Sequence, residues 1–132
     1  MIFVDGSMPR SVADELKRVG KDAKWKGELF VELSTKDPIW LRETGINSWL
    51  VLTRDRRIRS RPGEREAIMT HRVGCFIFTY KNDLKRHEIV QMILANIEQI
   101  EEKFNTTPRP FIYTVSKDGE FREYARSGLT VK

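Results

Sequence analysis

Three aspartates and a run of arginines are the residues of this chain with the clearest chemistry. Asp5 follows the apolar run Ile2-Phe3-Val4, Asp37 precedes Pro38, and Asp55 lies just past the run Trp49-Leu50-Val51-Leu52-Thr53. Residues 54–61 read Arg-Asp-Arg-Arg-Ile-Arg-Ser-Arg, five arginines in eight positions. Carboxylates gathered at one place repel one another, and a divalent cation relieves that repulsion. A set with no histidine or thiol favours Mg2+ or Mn2+. Guanidiniums beside it suit phosphate oxygens. Together these are the components of metal-assisted phosphodiester hydrolysis, in which the ion activates water and stabilises transition-state charge. On this reading Asp5, Asp37 and Asp55 are metal ligands and catalytic residues, and Arg10, Arg54, Arg56, Arg57 and Arg59 hold nucleic-acid phosphates.

Each residue also has a plainer role. Asp5 reads as a cap of the first helix, Asp37 as an N-cap before Pro38, and Asp55 as an ion-pair partner of its neighbours. Any single arginine reads as a solvated side chain. Thr53 reads either as a β-former or as a group that orients a metal-bound water. What favours the joint reading is placement, and placement depends on the elements.

Ile2-Phe3-Val4 reads as a buried strand. A helix follows, with Ser7 as its cap, Pro9 at its first turn, and Val12, Ala13, Leu16 and Val19 at helical spacing up to Gly20. Residues 22–26 alternate weakly as a strand, and Leu29 to Leu33 is a strand or packed loop. Asp37-Pro38 opens a helix through Ile39, Trp40 and Leu41 that ends near Gly45. Trp49–Thr53 is a buried strand, 62–71 a helix starting at Pro62, and Val73–Thr79 another buried strand. A long helix over 85–104 presents Ile89, Ile93, Ile97, Ile100 and Phe104 on one face. Pro110–Val115 and Phe121–Tyr124 form a hairpin around Asp118-Gly119.

Strands alternating with helices predict a three-layer α/β/α sandwich with a mainly parallel sheet, plus the C-terminal hairpin. Ligand sites in such sheets lie at the C-terminal strand ends. Right-handed crossovers put Asp5, Asp37 and Asp55 along that one edge.

The chain has 132 residues, 39% of them apolar and 33% charged, and a net charge of +5. That bounds it to one domain, 1–126, with 127–132 as a tail. The single cysteine, Cys75, excludes an internal disulfide and multi-thiolate zinc sites, and reads as an inert core residue. His71 and His87 read as surface residues. A chain without a disulfide is expected in the reducing cytoplasm. No apolar run approaches the ~18 residues of a membrane span, and the N-terminus does not read as a signal peptide. Trp40 and Trp49 fall in core patterns; Trp25, flanked by lysines, is the tryptophan best placed to stack on a base.

These residues resemble PIN-like domains, in particular the VapC-type ribonuclease toxins and their short single-domain relatives. The likeness is carried by Phe3-Val4-Asp5 with Ser7-Met8-Pro9-Arg10, by Asp37-Pro38-Ile39-Trp40-Leu41, and by Leu50-Val51-Leu52-Thr53-Arg54-Asp55 running on through Arg57-Ile58-Arg59 to Glu66. It covers about residues 1–80. It implies Mg2+ or Mn2+ held by Asp5, Asp37 and Asp55, cleavage of single-stranded RNA, a cognate antitoxin partner and a homodimer. Gly6 stands where many relatives carry a second acid, and a fourth acid has no obvious counterpart beyond Asp83 or Glu66.

Two other functions fit parts of the pattern. A catalytically inactive nucleic-acid-binding module on the same scaffold needs the arginines and not the carboxylates. A phosphoacceptor receiver domain would use Asp55 as acceptor with Thr79 and Lys81 as switch groups, but it calls for paired acids where Asp5 stands alone.

Overall fold

A computed structural model describes residues 1–30, 37–81 and 83–126, with Asp37, Ala125 and Arg126 described by their backbone alone. The elements are β1 (Ile2–Val4), α1 (Arg10–Arg18), β2 (Ala23–Trp25), α2 (Lys26–Leu29), α3 (Asp37–Ile46), β3 (Leu50–Thr53), a 3-10 turn (Arg56–Arg59), α4 (Pro62–His71), β4 (Gly74–Thr79), α5 (Arg86–Thr106), β5 (Phe111–Ser116) and β6 (Phe121–Arg126). They form one six-stranded sheet in the order β2-β1-β3-β4-β5-β6. All neighbours are parallel except the β5–β6 hairpin. Gly119 turns that hairpin with φ 82°, a conformation glycine takes without a Cβ penalty.

The strands alternate side chains between two cores. Ile2, Val4, Leu50, Leu52, Phe76, Phe78 and Phe111 face α1 and the Ile89, Ile93, Ile97 and Ile100 stripe of α5. Phe3, Val51, Cys75, Ile77 and Ile112 face Trp40 and Leu41 of α3, Ala67 and Ile68 of α4, and Ile58 of the 3-10 turn. Near-continuous apolar strands are what a sheet covered on both faces requires.

The crossovers that bring β1, β2 and β3 together share one hand, but the last crossover of the sheet does not. The β3–β4 and β4–β5 steps run the same way across the sheet, yet α4 and α5 lie on opposite faces. The last crossover therefore has the opposite hand to the three before it. Coverage supplies the reason. α3, α4 and the 3-10 turn already fill one face, while α1 alone would leave Leu50, Leu52, Phe76 and Phe78 open on the other, and the apolar stripe of α5 closes that gap. Lys21, at the end of α1, clips the two helices of this face together through Glu101 at 2.7 Å and Glu98 at 3.2 Å.

Two local expectations are also corrected. Ser7 does not cap α1: the capping position is Pro9 and no side chain bonds there. The start of the Leu29–Leu33 segment is helical, as the short α2, and residues 31–36 lie outside the described ones, as does the 127–132 tail. Among the described residues no helix is long and apolar enough to cross a membrane.

The α3–α4 contact is tight enough to predict a substitution. A Cβ at Gly45 would stand 2.1 Å from the backbone oxygen of His71. Alanine would gain about 1 kcal/mol of helix propensity. Overpacking against a group that cannot rotate away costs about 3 kcal/mol, near the upper end of its usual range. Gly45→Ala is expected to lower stability by a net of about 2 kcal/mol, read as a lower midpoint in thermal unfolding with unchanged secondary structure at low temperature.

Candidate active site

The strand order reverses between β1 and β3: from β1 the chain goes outward to β2, then returns across β1 to β3. Crevices at such switch points, outside the carboxyl ends of the strands, are where open α/β sheets bind ligands. Asp5 follows β1 and Asp55 follows β3, so both lie at this point. α3 begins at the same edge, since a Cβ on Gly63 at the start of α4 would lie 3.9 Å from the Pro38 ring. The backbone of Asp37 is thus at the edge where the sequence puts it, and its side chain lies outside the described ones.

Asp5 is buried, 5% exposed, and is held by hydroxyls rather than cations. Its Oδ2 accepts a hydrogen bond from Ser7 Oγ at 2.6 Å and one from Thr53 Oγ1 at 2.8 Å. The backbone N–H of Asp5 donates to the Leu52 carbonyl at 2.9 Å, which ties the end of β1 to β3. Thr53 is itself fully buried and accepts from the Asp55 N–H at 3.0 Å. One threonine hydroxyl therefore joins the Asp5 carboxylate to the backbone of Asp55. Ser7 Oγ also accepts from the Arg54 N–H at 3.0 Å.

Ser7 and Thr53 are the residues whose place in the site the sequence reading missed or left open. Each sits two residues from an aspartate, the spacing at which a short hydroxyl or carboxylate reaches nearby backbone and side-chain partners instead of continuing a helix or strand. That spacing was the available signal.

Asp55 faces its arginines. Its Oδ1 accepts from the Arg57 N–H at 3.1 Å, capping the 3-10 turn, and from Arg57 Nε at 3.2 Å. Arg54 donates from Nη2 to the Tyr80 carbonyl at 3.2 Å and stacks on the Tyr80 ring at 4.3 Å. Ser7, Arg54, Asp55, Arg56, Arg57 and Tyr80 line one hollow of about 380 Å³.

The five arginines of 54–61 do not act as one patch. Arg54, Arg56 and Arg57 line this hollow. Arg59 stacks on Tyr124 at 4.7 Å and lines a different one, and Arg61 pairs with Glu64 at 3.3 Å. Arg10 is exposed on the first turn of α1, 4.0 Å from Asp14. Trp25 is structural: its Nε1 donates to the Met8 carbonyl at 3.0 Å and its ring packs on the core. Trp40 and Trp49 both stack on Phe3, as core residues do.

The electrostatics follow from burial. Burial pushes the Cys75 thiol far up, and the charges of Asp5 and then Asp55 add to the shift, so this cysteine stays neutral and inert. Burial also raises the Tyr80 phenol, against the nearby Arg54 charge.

The oxygen set fits a hard divalent cation. Asp5 and Asp55 each have one carboxylate oxygen engaged as described, leaving Asp5 Oδ1 and Asp55 Oδ2 outside those bonds. Among the described residues no group of three His, Cys, Asp or Glu side chains comes together. Neither Asp83 nor Glu66 joins such a group.

The family model described as PIN like domain matches residues 1–80. That span holds β1 to β4, Asp5, Asp37 and Asp55, and Arg10, Arg54, Arg56, Arg57, Arg59 and Arg61. No curated protein and no solved structure matches the chain. PIN-like domains are in general nucleases and commonly bind nucleic acid, and the match sets the receiver-domain alternative aside. With more than half of the chain matched and the aspartates at the switch point of an α/β sheet, the chain belongs to the PIN-like domain family.

Proposed function

We propose that the chain is a metal-dependent endoribonuclease that hydrolyses phosphodiester bonds of single-stranded RNA, using Mg2+ or Mn2+. The observation that supports this most is the coupling of Asp5 and Asp55 through the Thr53 hydroxyl, beside a hollow lined by three arginines. Asp5, Asp55 and Asp37 would hold the ion, which supplies water activation and charge stabilisation when bound. Ser7 and Thr53 lock the Asp5 carboxylate in one orientation, so that no reorganisation is needed as charge develops. Arg54, Arg56 and Arg57 seat the phosphate and offset its negative charge. Arg57 also compensates Asp55, which limits the repulsion between the two carboxylates. The cognate antitoxin and the homodimer come with the resemblance to VapC-type toxins, and the cytoplasmic setting with the single cysteine.

A second reading keeps the binding and drops the reaction. It is favoured by Gly6 in place of a second acid and by the two-carboxylate set among the described side chains. One experiment separates the two. Wild type and Asp55→Asn are incubated with a mixed single-stranded RNA pool in Mn2+, in Mg2+ and in chelator. Cleavage by wild type that needs the ion and disappears in Asp55→Asn is expected. Salt-dependent RNA binding without cleavage, retained or strengthened in Asp55→Asn, would establish the binding module instead.

A further inference from the structure

The 3-10 turn is a ridge between two hollows. Arg56 and Arg57 line the one beside Asp55, and Arg59 lines a second of about 600 Å³. The floor of the second is a part of the sheet that no helix covers among the described residues. Ile77 of β4 and Ile112 of β5 lie in the core under α3 and α4. Two residues further along each strand, on the same face, come Thr79 and Thr114, with Ser116 beyond. Both threonines and the serine are partly exposed and line the hollow. Apolar side chains give way to hydroxyls where the helices end, so this face is built for a polar occupant.

Charge indicates which one. Arg122 lies opposite Thr114 on β6, is exposed, and forms no ion pair among the described residues. Arg59 comes from the ridge, its guanidinium stacked on Tyr124. A stacked guanidinium keeps its in-plane N–H donors for an oxyanion. Glu120 is the single carboxylate at the hollow's lining. Thr79 and Thr114 donate to the Val115 and Arg122 carbonyls, each at 3.4 Å, and Ser116 accepts from the Glu120 N–H, which leaves the Ser116 O–H to donate. Two guanidiniums and one hydroxyl donor against one carboxylate favour phosphate. Hydroxyls can also meet the 2′-OH of RNA.

We infer that the second hollow, between Arg59 and Arg122 on the β5–β6 hairpin, seats the phosphates of a single-stranded RNA whose scissile segment lies in the hollow beside Asp55, so that the strand crosses the arginine ridge. The inference rests on the proposed nuclease reading for the position of the scissile segment. The binding surface it names lies largely outside residues 1–80, the span that matches the family.

The test is binding in chelator, where nothing is cut. Fluorescent oligouridylates of about 5 and about 20 nucleotides are titrated with wild type, Arg122→Gln and Arg59→Gln, bracketing the usual footprint of a single-strand-binding groove. Arg122→Gln is expected to weaken the long strand several-fold and to lower its log–log salt slope by about 0.7, the loss of one phosphate contact on a single strand. The short strand, seated by Arg54, Arg56 and Arg57, keeps its affinity. Arg59→Gln should repeat this pattern. Equal effects on both lengths, no effect on either, or no length dependence in wild type would each overturn the inference. A parallel cleavage assay in Mn2+ keeps the two readings distinct. Length-selective loss in Arg122→Gln without cleavage by wild type removes the nuclease and leaves the groove. Cleavage with unaltered binding by Arg122→Gln does the reverse.

Discussion

Asp5→Asn is expected to lower metal-dependent RNA cleavage by about 10³-fold, because a carboxylate that holds the ion supports several kcal/mol of transition-state stabilisation and each 1.36 kcal/mol is a factor of ten. The substitution keeps an oxygen for the Ser7 and Thr53 hydroxyls, so the fold should hold and the thermal midpoint should stay near that of wild type. Thr53→Val provides the graded comparison. It removes the hydroxyl that bonds Asp5 and accepts from the Asp55 N–H, and partners of this kind cost about 10–100-fold when lost. A rate for Asp5→Asn within a few-fold of wild type would sink the assignment of this carboxylate. Both rates are measured at saturating Mn2+, and isothermal titration with Mn2+ reports affinity separately from turnover.

Trp40→Ala is expected to be the most destabilising of the substitutions considered. Trp40 is fully buried, stacks on Phe3 with ring centres 5.1 Å apart, and shares its core with Ile58. Truncating a buried tryptophan to alanine removes about 3–5 kcal/mol. For a chain of this length the thermal midpoint should fall by about 10–20 °C. Ile58 anchors the turn that carries Arg56, Arg57 and Arg59, so RNA binding should weaken even at temperatures where the variant is folded. A drop of only a degree or two would show that this core does not depend on the α3 tryptophan.

How much of this was legible in the sequence varies by element. The buried strands at Ile2–Val4, Leu50–Thr53 and Gly74–Thr79 announce themselves as apolar runs, and the α5 stripe follows from 3-4 spacing. Positions of Asp5 and Asp55 at strand ends followed directly. The hydroxyl link between them was not foreseen, because Ser7 reads locally as a cap, which the structure does not bear out, and Thr53 as a β-former, and only the approach of β1 to β3 brings them together. The arginine run looked uniform, since composition does not say which way a side chain turns. The 3-10 turn divides it, with buried Ile58 as its pivot. The face chosen by α5 was equally hidden: an apolar stripe demands a sheet to cover but does not say which side.

That choice of face bears on how the chain is made. The first eighty residues contain every aspartate and arginine of the candidate site, yet one whole side of their sheet is sealed by a helix that begins at Arg86 and ends at Thr106. A ribosome delivers the site first and its seal later. Until α5 emerges, Leu50, Leu52, Phe76 and Phe78 have only α1 against them, and the β1–β3 pairing that joins Asp5 to Thr53 lacks half of its cover on that face. The candidate site is therefore expected to gain its geometry only once α5 has left the ribosome, and a chain truncated before Arg86 should fail the RNA-cleavage assay that tests the proposed function.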